Sequence, residues 1–196
     1  MIITIVLLAI LAAVTGLLFC EGLWRSLLMF FNVLVAATIA TAWFAPLANL
    51  LEGPLPSYTY LLDFLSVWLL FCGVLSLARA ATDWLSPEKI VFPQRVDQLG
   101  AACLGFLTAW VMVAFTAATL HLAPVPRDLV QPTPEARMFF GLAPDRKWLS
   151  WVRGSSRSGS FSLPDQAFDK DADLILRYAD RRLKLEAAPG LRVSAQ

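Results

Sequence analysis

The sequence predicts an all-α fold: a polytopic membrane protein with four transmembrane helices and a mostly flexible C-terminal tail containing short amphipathic helices. Three observations carry that expectation. The 196 residues are 58% hydrophobic and 16% charged, with a mean hydropathy of +0.63, which is too apolar for an ordinary soluble domain. Four stretches are free of charge or nearly so, and each is close to the roughly 20 residues a helix needs to cross a bilayer. The charges gather behind them: positions 123–196 hold 12 basic and nine acidic groups, against four and six in positions 1–122. The chain therefore divides into a four-helix transmembrane domain, 1–122, and a proline-containing, charged extramembrane tail, 123–196.

The spans follow in order. Positions 2–20 are uncharged, positions 26–51 are uncharged, positions 58–78 are interrupted only by Asp63, and positions 99–122 are uncharged. Lipid offers no partner to backbone N–H and C=O groups, and the runs lack the alternation of barrel strands, so helix is the forced choice. A cleaved signal or lipoprotein reading of the first run fits poorly. No basic residue precedes it, Phe19 stands where a small residue should come before Cys20, and no small-x-small cleavage site follows. Cys20, Cys72 and Cys103 all sit in apolar runs and are expected to be buried, inert thiols.

Orientation follows from Lys and Arg in short loops. The linker after span one carries Arg25, the one after span three carries Arg79, Lys89 and Arg95, and the Glu52–Pro56 linker carries none. The basic linkers are expected to face the cytoplasm, leaving both termini extracytoplasmic, although Arg127 and Arg137 oppose this. Trp24, Trp84, Tyr58 and Tyr60 suit the headgroup level.

In the tail, Pro124, Pro126, Pro132 and Pro134 exclude a continuous helix. Two amphipathic helices are expected beyond them. One spans 145–152, with Asp145 as its cap after Pro144 and Trp148, Leu149, Trp151 and Val152 on one side. The other spans about 169–187, with acids at its start and Arg177, Arg181, Arg182 and Lys184 towards its end. Positions 154–160 read as a flexible link. Such helices dock either on the membrane surface or on the protein's own surface, and periodicity does not choose between the two.

Candidate functional residues are few. Asp63 is a possible intramembrane acid, a default candidate for ion coupling, although it lies near the start of its span and can reach the interface. Ala101, Gly105 and Ala109 recur every four residues in span four and predict a close helix contact, within one chain or between two. His121, the one histidine, reads as an interfacial side chain, with no ligand set around it for a metal. No GxSxG, GxxxxGK or HExxH motif occurs, so neither an enzyme nor a cofactor is expected. The net charge of +1 excludes nucleic acid as the main partner.

Gly22-Leu23-Trp24-Arg25-Ser26, Phe44-Ala45-Pro46-Leu47-Ala48 and Asp97-Gln98-Leu99-Gly100 follow one another along the chain, and this order of short motifs resembles the colicin V production protein (CvpA) family of bacterial inner-membrane proteins. In that family a Gly-aromatic-x-Arg-like turn joins the first two helices, and the last helix opens with Asp-Arg and then glycines every fourth residue. Gly22-Leu23-Trp24-Arg25-Ser26 is similar to the first turn, Phe44-Ala45-Pro46-Leu47-Ala48 to the close of span two, and Asp97-Gln98-Leu99-Gly100 to the start of span four. Gln98 replaces the arginine, for which Arg95 would have to substitute, and Ala101 and Ala109 replace glycines. The likeness covers about residues 2–122. It implies a non-enzymatic inner-membrane protein, assisting colicin V type toxin production or export and envelope homeostasis. Its expected partners are the lipid bilayer and a membrane protein or second copy met through span four. The alternative is a small oligomeric transporter or channel with Asp63 as its coupling acid.

Overall fold

The computed structural model describes residues 2–53, 59–86, 90, 92–125, 137–158 and 168–187. Tyr58, Pro87, Lys89, Arg127, Pro126, Pro132 and Pro134, positions 54–56 and the 159–160 end of the expected link lie outside these residues, as do the side chains of Tyr60 and Arg182. Six helices are present among the described residues: α1 Ile2–Glu21, α2 Leu23–Glu52, α3 Thr59–Leu85, α4 Gln94–Leu120, α5 Pro144–Ser158 and α6 Leu174–Ala187.

The first four are long and apolar enough to cross a membrane, and all outrun the uncharged runs that announce them. Helical hydrogen bonding does not stop where polarity begins, so α3 continues through Arg79 to Leu85 and α4 starts at Gln94. Pro46 stands inside α2; it removes one N–H from the ladder, a loss that transmembrane helices tolerate.

The helices alternate in direction, with α2 and α4 central. α1 packs on α4, α3 packs on α2, and α2 and α4 pack on each other. Where the backbones of α3 and α4 stand apart, aromatic rings fill the space: Phe71 and Phe115 centroids are 4.8 Å apart and Trp68 lies 5.4 Å from Phe115. Such ring pairs add about 0.5–1.5 kcal/mol each beyond area burial. Many large apolar side chains, among them Ile5, Leu17, Phe31, Trp43 and Leu69, face outward, a surface that suits lipid and would be a liability in water.

That outward face corrects the expectation for the cysteines. Cys20, Cys72 and Cys103 are exposed on the bundle's exterior, because an apolar run in a span must serve the lipid side as well as the core.

The tail packs back onto the bundle. Trp148, Leu149 and Val152 of α5 and Leu174 of α6 are buried in the same cluster as Val33, Phe44, Val67 and Phe115. The boundary at 122/123 is thus one of composition, while the core runs across it. Three local expectations are also corrected. α5 opens at Pro144, so Asp145 lies in its first turn and does not cap it; proline suits that position, since its missing N–H would be unpaired there anyway. α5 runs on to Ser158 through the expected flexible link, with Ser155 and Ser156 hydroxyls bonded back to Trp151 O and Arg153 O. α6 starts five residues late, because Asp169 and Ala172 have φ of 46° and 58° and break a right-handed helix. Asp169 Oδ1 instead accepts from the Asp173 and Leu174 N–H groups at 3.0 and 3.1 Å, serving the start of α6 from outside it.

Candidate functional site

Three of the family-like residues, Gly22, Asp97 and Gly100, form one joint. α1 and α2 meet at Gly22, whose φ of 87° and ψ of 171° lie in a region essentially reserved for glycine. The turn leaves the first N–H of α2 without a helical partner, and Asp97, 74 residues away on α4, supplies one. Leu23 N–H donates to Asp97 Oδ1 at 2.9 Å. A methyl group at Gly22 would meet the Asp97 carboxylate at 3.1 Å, and one at Gly100 would meet Leu23 Cδ1 at 2.5 Å. Gly22, Asp97 and Gly100 are therefore three parts of one contact. Ser26, fully buried, places Oγ 2.9 Å from Leu18 O and 2.8 Å from Gly22 O, offering its proton to carbonyls at the end of α1. Trp24 Nε1 donates to Ser86 Oγ just beyond α3. Arg25 and Arg95 are exposed. Asp97 makes the capping contact without a neighbouring arginine at position 98.

The small-residue stripe continues the joint along α4. Gly105 faces α1, where an added methyl would stand 3.2 Å from Thr15 O and 3.3 Å from Leu18 Cβ. Ala101 and Ala109 are fully buried. This is the close backbone approach that spacing every four residues predicts.

The opposite end of the bundle is gripped by the tail. Phe139 packs with Leu7, Val113 and Ala117 on the α1 side of α4, and its ring lies 6.0 Å from Trp110. The chain then turns through Gly141 and left-handed Phe140 and Ala143, and α5 lies on the α2 side. There Trp148 Nε1 donates to Thr41 Oγ1 at 3.0 Å, while that hydroxyl donates to Ala37 O at 2.8 Å.

His121 lies between these two contacts. Expected at the interface, it is instead 1% exposed, because the returning tail covers it. Its Nε2 is 2.9 Å from Asp145 Oδ2, and both side chains are sealed from solvent. His121 Nδ1 and Asp145 Oδ1 have no hydrogen-bond partner among the described residues. An acid and a base thus meet, with no serine or threonine hydroxyl bonded to the imidazole. No cluster of metal-ligating side chains occurs among the described residues.

Asp63 also belongs to this end. Its Oδ2 accepts from Tyr178 O–H at 3.0 Å and from Arg181 Nη1, so α6 brings a cation to an acid that, among the described residues, has no partner in another span. Burial, then the adjacent Asp63 carboxylate, pushes the Tyr178 phenol above its ordinary range. Nothing local to position 63 announces this partner, 118 residues away; the surplus of cations late in α6 was the available signal.

No curated protein and no solved structure matches the chain. Residues 3–156 match the family model described as colicin V production protein, so the likeness extends past residue 122 into the tail's first helix. With four helices fit to span a bilayer and a match over most of its length, the chain belongs to the colicin V production protein family of membrane proteins.

Proposed function

We propose that the protein acts in the bacterial inner membrane without catalysing a reaction, assisting colicin V type toxin production or export and the upkeep of the envelope. The observation that carries the reading is the family match over α1 to α5. It is supported by functional-looking residues that hold helices together: Asp97 caps α2 and Asp63 holds α6. The His121–Asp145 pair is enclosed, which suits a fastening better than a reaction centre. Deleting the gene in a toxin-producing strain should lower peptide export and raise sensitivity to envelope stress. Export and stress tolerance both at wild-type levels would refute the proposal.

Both termini are proposed to be extracytoplasmic. Arg25, Arg79 and Arg95 lie at the joint end of the bundle and the tail at the other, so the basic end would face the cytoplasm. Reporter fusions at Gln196 and in the 52–56 linker check this, and an active cytoplasmic reporter at Gln196 contradicts it.

A further inference from the structure

The joint end holds a second feature: a pocket of about 190 Å³ between α2, α3 and the last residue of α1. Two hydrogen bonds brace it. Trp24 Nε1 donates to Ser86 Oγ at 3.1 Å, and Asn32 Nδ2 donates to Thr82 Oγ1 at 3.0 Å. These ties fix the separation of its α2 and α3 walls.

Arg25, Arg79, Glu21 and Asp83 all line the pocket. None of these four side chains makes an ion pair or hydrogen bond among the described residues. Two cations and two acids around one opening are complementary to a zwitterion. A ligand with a phosphate alone would leave both carboxylates unanswered, and an amine alone would leave both guanidinium groups. Leu28 and Met29 add an apolar wall. Trp84, 83% exposed and next to Asp83 on α3, suits headgroup depth.

We propose that this pocket binds the headgroup of a zwitterionic, primary-amine phospholipid. The phosphate sits between Arg25 and Arg79, whose planar forks suit phosphate oxygens. The ammonium faces Glu21 and Asp83, and the glycerol end lies along Leu28 and Met29. The proposal requires the membrane setting but does not depend on the role in toxin export.

Native mass spectrometry of the full-length protein, offered equal amounts of phosphatidylethanolamine, phosphatidylglycerol and phosphatidylcholine, tests it. Phosphatidylethanolamine adducts should predominate. Arg25→Gln with Arg79→Gln should reduce them roughly tenfold, as expected for losing charge-assisted bonds, whereas Arg153→Gln in the tail should not. Should the double arginine variant fail to fold, Glu21→Gln with Asp83→Asn serves, and it should move the preference to phosphatidylglycerol. Equal retention of the three lipids, or an unchanged preference in either double variant, overturns the assignment. So does displacement by inorganic phosphate as complete as by glycerophosphoethanolamine, which would mark a simple anion site.

Discussion

At the scale of single residues, backbone conformation and close approach decide what the joint tolerates. Gly22→Ala places a side chain in a glycine-only conformation and against the Asp97 carboxylate. It should destabilise the protein by about 1–3 kcal/mol, read as a lower Tm in detergent. Asp97→Ala removes the acceptor for Leu23 N–H and should cost about 1 kcal/mol, while Asp97→Asn keeps a side-chain oxygen and should retain most of the stability. The buried pair behaves differently. His121→Ala leaves the sealed Asp145 carboxyl group without its hydrogen-bond partner and should cost about 1–3 kcal/mol, whereas His121→Leu with Asp145→Leu should lie closer to wild type, because it removes both buried polar groups together. Thermal melts of the single and the double variant beside wild type check the order. Asp97 and Gly22 were visible in the sequence as separate motif members. That they meet was not, since helix pairing, absent from any local pattern, brings Leu23 and Asp97, 74 residues apart, together.

At the scale of elements, uncharged length was enough to place the four spans, because lipid permits few other structures. Their ends ran past the apolar runs, and the cysteines were misplaced, for one reason: apolar character marks contact with lipid as well as contact with core. Helix α6 was legible as amphipathic but not as docked. Its holding residues, Tyr178 and Arg181, meet an acid on α3, and the intervening chain gives no register for that meeting. For α5, Trp148→Ala removes a ring packed on Phe115 and the bond to Thr41. It should cost about 3–5 kcal/mol and raise hydrogen exchange across 144–158 more than in α1. The contact of α6 carries a pH dependence. Because the fold raises the proton affinity of Tyr178, its stabilisation is complete below the ordinary tyrosine range, near pH 10, and declines above it. Exchange in 174–187 should therefore accelerate above that pH beyond the intrinsic rise, and Tyr178→Phe should abolish the excess.

At the scale of the whole molecule, the two ends of one bundle are built differently. One end joins α1, α2 and α4 through Gly22, Ser26 and Asp97, with charged side chains left open between α2 and α3. The other end is covered by α5 and α6, whose apolar residues complete the core begun by α2, α3 and α4. Charge distribution along the chain foretold an apolar body and a polar tail. It did not foretell that the tail belongs to the body's core, because its few large apolar residues are diluted among charges in the sequence and become concentrated only when the helices form. Asp63→Asn should loosen α6 while leaving α5 docked, since α5 is held through Thr41 and His121; accelerated hydrogen exchange confined to 174–187 is the expected pattern.

The bond from Leu23 to Asp97 also sets a schedule. Until the last span is made, the Leu23 N–H at the bend of the first hairpin lacks the acceptor that the finished fold gives it. Arrival of the last span closes that bend, so a chain cut short before it should be recognised as unfinished and removed by membrane proteases faster than the complete one.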